Sequence, residues 1–310
     1  MSSQITTAFV EQYKSNVMDL VQQKGSRMRG AVMTDSVVGK KKFNEQVGTT
    51  NAQLRTSRHS DSPLVNTPHL RRSMTLEDYE WGDLIDDADR VRLLIDPSDA
   101  YARNAAWAMG RAMDDVIFAA MRGISYTGVS GGTSVPWATD ATATPQHVDV
   151  RISDDGGSDC GLNIEKLIRA RKILAANEVD SDEELYCALN AQMLENLLKT
   201  TQVTSADFNT VKALVRGDID TFMGFKFIQT ERAGLLNHAA GNDAVTDESC
   251  WCWAKSGIQL GIGADIKASI APRADKSFST YIYYAMTLGA TRLEEKKIVE
   301  IACDPSAGIT

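Results

Sequence analysis

The sequence is poor in the features that define several protein classes. It contains 4 histidines, 5 cysteines and 7 prolines among its 310 residues. No run approaches the roughly 18 consecutive apolar residues that a membrane-spanning helix needs, and the polar amino terminus lacks the apolar core of an export signal. Five irregularly spaced cysteines in a chain without such a signal are expected to be reduced thiols. The sequence therefore predicts a cytoplasmic product without a disulfide framework or membrane contact.

Motifs that carry catalysis or bind cofactors are incomplete. The segment GVSGG at 128–132 matches a nucleophile elbow, but that chemistry needs a strand before the serine and a helix after it, and here a helix precedes it. CWC at 250–252 offers two thiolates where zinc takes four ligands. GIGAD at 261–265 opens no helix, unlike a dinucleotide-binding turn. We therefore expect no enzyme activity, no cofactor and no metal. A serine hydrolase that uses Ser130 is the alternative from another class.

Charge is distributed unevenly along the chain. Residues 1–75 hold 11 lysines and arginines against 5 acidic residues, a net charge of +6, whereas residues 76–310 hold 22 against 36, a net charge of −14. The basic part could pair with the acidic body of another copy or meet nucleic acid. Uneven surface decoration is the plain alternative.

Hydrophobic periodicity indicates an α+β protein. Helical spacing covers residues 6–23, and the strongest helix begins at the DPS sequence of 96–98 and ends near Arg122, a span of roughly 38 Å. Further helices are predicted at 163–177, with 167, 168, 173 and 174 as its core face, and at 206–215. Strands are predicted at 184–190, at 219–231 and through the strand-rich end from 250 to 304, and an elaborated hairpin at 123–161.

The stretch between the first helix and the long helix does not read as part of a compact domain. Alternating pieces at 28–38 and 71–79 flank about thirty polar residues, which we interpret as a two-stranded ribbon with its tip at 59–63. Because an isolated hairpin is marginal in water, the ribbon is expected to lie on an acidic surface, such as the run 77–89 of a neighbouring copy. A mobile loop is the alternative. The candidate contact residues are Arg29, Lys40, Lys41, Lys42, Arg55, Arg58, Arg71, Arg72, Asp83, Asp86 and Asp87.

In this order, ribbon, long helix and strand-rich end resemble the major capsid proteins of tailed bacteriophages, which have the Hong Kong 97-type fold. One branch of that family carries similar strings over nearly the whole chain: QQKGSRMRG, VVGKKKF, HSDSPLVNTPHLRR, DYEWGDLIDDADRVRLLIDPSDAY, RAMDDVIFAAMRG, SADFNTVKALVRGDIDTFMGFKFIQTER and GIGADIKASIAPRADKSFSTYIYYAMTLGATRLEEKK. The resemblance implies an N-terminal arm at 1–28 and an extended loop at 29–80. It also implies a peripheral domain at 81–184 and 271–310, with a spine helix at 97–122, and an axial domain at 185–270.

The resemblance also implies a function. Such proteins self-assemble through hexamers and pentamers into the icosahedral head of a virion, inside the bacterial cytoplasm. Because the sequence begins almost at the arm, a separate scaffold protein or none is expected. Portal and decoration proteins are further expected partners. Packaged double-stranded DNA would be confined by weak contacts, since tight phosphate binding needs a basic surface. An encapsulin-like nanocompartment is the alternative within the same fold, and no motif assigns a cross-linking lysine among 40–42.

Overall fold

The computed structural model describes residues 22–58, 61–62, 64–86, 98–137, 146–152, 159–199, 221–233 and 248–305. The chain divides into two compact units. The smaller unit holds Met1–Ser26, Asp78–Ala112 and Ala264–Thr287, and the larger holds Arg27–Glu77, Met113–Gly263 and Leu288–Thr310. The predicted helices at 6–23 and 206–215 lie outside the described residues, apart from the end of the first. No described helix is long and apolar enough to cross a membrane.

The predicted long helix is confirmed as α1, Ser98–Arg122. Its buried apolar side chains recur every fourth residue, as expected for one face of a helix: Ala105, Met109, Met113, Ile117 and Met121. Two shorter helices follow in the described residues, α2 at Ile164–Ala176 and α3 at Ala191–Lys199. The first confirms the helix predicted at 163–177, whereas the second lies in a segment for which no element was predicted.

Fourteen strands occur in the described part of the chain. They are β1 Met33–Ser36, β2 Lys41–Val47, β3 His69–Thr75, β4 Glu77–Ile85, β5 Ser125–Thr127, β6 Thr133–Val135, β7 His147–Val148, β8 Leu185–Leu189, β9 Thr221–Phe222, β10 Phe225–Gln229, β11 Glu248–Ala254, β12 Ile258–Pro272, β13 Thr280–Arg292 and β14 Ile298–Cys303. The mixture of helices and sheets confirms the α+β class.

The core of the larger unit is a six-stranded sheet in the order β7-β14-β11-β8-β10-β9. Strand β8 pairs parallel with β10 and antiparallel with β11. One hydrophobic cluster joins this sheet to α2 and α3, and its fully buried members include Leu167, Cys187, Phe225 and Ile301. Nonpolar burial of this extent is the main stabilising contribution to folding.

Two local predictions in this unit are wrong. Ile168 of α2 is 49% exposed, whereas Leu167 and Leu174 are buried, because a residue next to a buried one is rotated about 100° around the helix. The strand predicted at 219–231 is two strands, β9 and β10, which pair antiparallel. Met223 and Gly224 have φ of 53° and 83°, so they form a tight turn that the alternating pattern conceals.

A second sheet of the larger unit, in the order β2-β3-β5-β6, contains the ribbon. Strands β2 and β3 pair antiparallel from Lys41 opposite Thr75 to Val47 opposite His69. The predicted first ribbon strand at 28–38 is wrong, since β1 pairs parallel with β12 through Met33 opposite Gln259. The ribbon is instead formed by β2 and β3, and β2 lies in the polar stretch between the two alternating pieces.

In the smaller unit, β4 belongs to a sheet with the residues of β12 and β13 that lie in this unit; the complete sheet has the order β1-β12-β13-β4. Trp81 packs edge-on against Tyr284 with ring centroids 6.4 Å apart. A Cβ at Gly82 would lie 2.1 Å from the Tyr281 hydroxyl. The tyrosine therefore crosses β4 at a position that only glycine leaves open.

Candidate assembly surface

The outer part of the ribbon, between Gly48 and Pro68, lies beyond the paired strands β2 and β3. Its strands remain joined as far as a hydrogen bond from the Gly48 amide to the Pro68 carbonyl oxygen, 2.8 Å long. The described residues beyond this point form no strand or helix, and nearly all are exposed. Leu54 and Leu64 are 90% and 89% exposed. These two apolar side chains make almost no contact within their own chain and are available to a partner.

The root of the ribbon, by contrast, rests on its own unit. The Lys42 ammonium group is ion-paired with Asp35, and this hydrogen bond lowers the pKa of that carboxyl. The Asn44 side-chain amide donates to Gln259, and Gln46 Nε2 donates to the Leu293 carbonyl oxygen at 2.9 Å. Hydrogen bonds and an ion pair of its polar side chains thus attach β2 to the rest of the larger unit, so that β2 does not need a buried apolar face.

Arg72 is not the exposed contact residue that the sequence predicts. It is 7% exposed, and its Nη2 donates to both carboxylate oxygens of Glu295 at 2.7 and 2.6 Å. This intrachain ion pair accounts for the guanidinium charge, because buried arginine requires a paired partner. Arg72 is therefore a structural residue of the ribbon root.

The other basic candidates have varied surroundings. Arg71 forms an ion pair with Glu45 across the ribbon and lies over the Phe43 ring, 5.3 Å from its centroid. Arg55 donates to the Ser57 carbonyl oxygen at 2.9 Å and to that of Arg58. Exposed side chains also occur at Lys40, Lys41 and Arg58, whereas Arg29 is half-buried. The ribbon thus presents a mainly basic outer surface.

The acidic candidates lie at β4 and just after it. Asp83 is half-buried, and its Oδ1 accepts a hydrogen bond from the Leu84 amide at 2.8 Å. Asp86 is exposed, and its Oδ1 accepts from the Ser279 hydroxyl at 3.4 Å. Asp87 lies outside the described residues.

The candidate nucleophile has no elbow geometry. Ser130 lies in the turn between β5 and β6, where the Gly131 amide donates to the Gly128 carbonyl oxygen at 3.0 Å. A strand, not a helix, follows it. The serine-hydrolase interpretation is wrong in this respect, because an exposed hairpin serine has neither the required turn nor its oxyanion hole.

Four of the five cysteines are core residues. Cys187, Cys250, Cys252 and Cys303 are all buried within the cluster between the sheet and the helices, and all five cysteines are free thiols. Their mutual hydrogen bonds and burial raise the pKa of Cys187 and of Cys250 well above the ordinary thiol value. Buried thiols with raised pKa values are unreactive. Among the described residues no group of histidine, cysteine and acidic side chains could hold a metal ion.

The sequence profile of the family described as phage capsid protein matches residues 5–305. The chain belongs to this family. A match over nearly the whole length also agrees with the order of elements found here. No curated protein matches this phage capsid protein in sequence.

Several solved structures similar to this capsid protein are phage capsids. The capsid of Cyanophage P-SCSP1u superposes with a TM-score of 0.73 at 14% identity, covering 96% of this chain and 94% of its own. The capsid of Ralstonia phage GP4 gives 0.71 at 9% identity over 97% and 96%. That of Cyanophage Pam1 gives 0.70 at 12% identity over 97% and 98%. The predicted Hong Kong 97-type fold is confirmed.

Sequence reasoning missed the acidic partner of Arg72. Glu295 lies in a short 3-10 turn, Glu295–Lys297, just before β14. Its neighbours in sequence are charged and unremarkable, so no local pattern separates it from a solvated glutamate. Only the fold brings it to the ribbon root.

Proposed function

We propose that this capsid protein assembles through hexamers and pentamers into the icosahedral shell of a phage head, inside the host bacterium, and that it has a purely structural role. The observation that carries the proposal is the ribbon: its root is fixed to the larger unit, while its outer part exposes Leu54 and Leu64 almost completely. In a closed lattice every such ribbon meets the same surface of the next copy.

The charges favour a neighbouring copy as the surface that the ribbon covers. Lys40, Lys41 and Arg58 are exposed on the ribbon, and Asp83 and Asp86 lie on the acidic strand β4 and its end. Opposite charges across a contact steer association and fix its register, although each exposed pair adds little energy. Asp87 and the arginines Arg55 and Arg71 extend the two complementary sets.

The stability of the shell would come from the number of contacts. Each copy makes several moderate contacts, and closure makes the later ones intramolecular, which raises overall strength without strong individual pairs. Within this scheme we assign residues 1–28 to the arm, 29–80 to the extended loop, 81–184 and 271–310 to the peripheral domain, and 185–270 to the axial domain. Scaffold, portal and decoration proteins would be partners in assembly.

The acidic balance of the chain supports weak contact with the packaged genome. A net charge of −8 disfavours tight phosphate binding, so double-stranded DNA would be held by confinement. Phage heads are favoured over an enzyme-filled nanocompartment because the family and the similar structures are phage capsids.

The proposal is tested by assembly of the purified protein, with its scaffold if one is needed. We expect closed particles in negative-stain electron micrographs; monomers alone at every salt and protein concentration would contradict it. The double variant Lys41→Glu, Arg58→Glu should lower particle yield at least tenfold, about 1.4 kcal/mol, with an unchanged melting temperature. The double variant Arg169→Glu, Lys172→Glu, the same charge change at two exposed positions of α2, is the control. Equal yields for both variants would refute the ribbon's role.

A further inference from the structure

One carboxylate at the root of the ribbon faces two arginines. Glu295 accepts two hydrogen bonds from Arg72 of β3, at 2.7 and 2.6 Å, and one from Arg292 Nε at 3.4 Å. The side chain of Glu295 is 28% exposed, whereas those of Arg72 and Arg292 are 9% and 0% exposed. The ion pair is thus largely shielded from water, where charge-assisted hydrogen bonds are strong.

Arg292 is the fixed side of this arrangement. Its Nη1 donates to the carbonyl oxygens of Met121 at 2.7 Å, in the last turn of α1, and of Gly123 at 3.0 Å, directly after the helix, where carbonyl groups lack partners within the helix. Its Nη2 donates to the Val135 carbonyl oxygen at 3.2 Å, and its guanidinium carbon lies 5.0 Å from the centroid of the Trp137 ring. Because these contacts come from several directions, Arg292 cannot move without disturbing the end of α1.

Arg72 relies on Glu295 for its hydrogen bonds much more than Arg292 does. Its Nη2 makes the contacts with the carboxylate, while its buried Nη1 has no hydrogen-bond partner among the residues that the structure describes. Two guanidinium groups therefore share one carboxylate. Removing the negative charge would leave two buried cations close together, and such charges repel strongly in a low-dielectric site.

We propose that Glu295 is the positioning residue of the ribbon: it links β3 to the end of α1 through Arg292 and so sets the direction in which the ribbon leaves the body. The ribbon then reaches its acceptor surface already oriented, which lowers the ordering cost of association. This inference rests on the proposed function for its consequence in assembly, but its structural part concerns the single chain.

The test is hydrogen exchange of the unassembled protein, followed by assembly. Glu295→Gln keeps the shape of the side chain and removes its charge. We expect the amides of β2 and β3 to exchange at least tenfold faster, about 1.4 kcal/mol of local stability, while β8 and β11 are unchanged. Particle yield should fall by a similar factor. Glu45→Gln is the matched control, because Glu45 pairs with the adjacent Arg71 on the outer face, where its side chain is 69% exposed.

The outcomes separate the inference from the proposed function. Equal ribbon exchange in Glu295→Gln and Glu45→Gln would overturn the inference. If Glu295→Gln loses protection in β8 and β11 as well, Arg72→Lys decides, since it keeps the positive charge but replaces the guanidinium, whose Nη2 reaches both carboxylate oxygens, by a shorter side chain. Faster exchange confined to the ribbon in Arg72→Lys supports the inference, and unchanged or global exchange refutes it. A wild-type protein that never forms particles would defeat the proposed function and leave the exchange result standing.

Discussion

The most informative single substitution lies where the segment before β1 crosses α1. Asp114 is completely buried, and its carboxylate accepts hydrogen bonds from the Arg27 amide at 3.1 Å and the Met28 amide at 3.2 Å. Asp114→Ala leaves both donors without this acceptor. An unmade hydrogen bond of a buried donor costs about 1–3 kcal/mol, so we expect the free energy of unfolding to fall by about 2–4 kcal/mol.

The next residue is the control for this substitution. Asp115 is exposed and forms an ion pair with Arg232. Surface ion pairs contribute roughly 0–1 kcal/mol, so Asp115→Ala should hardly change stability. Urea unfolding of the unassembled protein, followed by circular dichroism, gives the midpoint and slope for each variant. Similar slopes with a much lower midpoint for Asp114→Ala are expected. Equal midpoints for the two variants would show that this carboxylate does not hold the crossing segment.

Three further predictions concern a glycine, a glutamate and the thiols. Gly110→Ala should lower the melting temperature, because the new Cβ would lie 2.5 Å from the backbone carbonyl carbon of Gly25 in the crossing segment. Alanine normally stabilises a helix by about 1 kcal/mol relative to glycine, so a higher melting temperature would contradict this close contact. Hydrogen bonds, first from Lys226, lower the pKa of Glu184 from 4.5 to about 2. Its contribution is therefore complete above pH 4.5 and is lost as the pH falls towards 2, and Glu184→Gln should show a smaller decline of stability over this range in thermal melts at each pH. A thiol reagent should modify half-buried Cys160 first and Cys250 only on unfolding, since a thiol hydrogen bond and burial raise the pKa of Cys250; mass spectrometry showing early modification of Cys250 would be inconsistent with this core.

The elements with strong local signals could be predicted from the sequence. Helix α1 follows a proline-containing start and ends next to Gly123, and α2 begins at Asn163, whose side chain accepts a hydrogen bond from the Lys166 amide at 2.8 Å. Strand β8 is fully buried and reads as a continuous apolar run. In each case, residues that are close together in the sequence determine where the helix or strand forms.

The features that were missed depend on distant partners. Strand β2 looks like a polar loop because its inward-facing residues, such as Asn44 and Gln46, form hydrogen bonds with the body instead of burying apolar surface. Arg72 looks like a surface residue, yet its partner Glu295 lies 223 positions away along the chain. Local composition cannot supply such a partner, so the ribbon root was assigned to an interface when it is part of the fold.

Electron cryomicroscopy of assembled particles tests the central claim most directly. The account predicts a closed shell in which residues 48–68 of each copy lie on a neighbouring copy, with Leu54 and Leu64 covered there. A map in which this segment folds back onto its own chain, or remains uncovered in an intact shell, would contradict the claim.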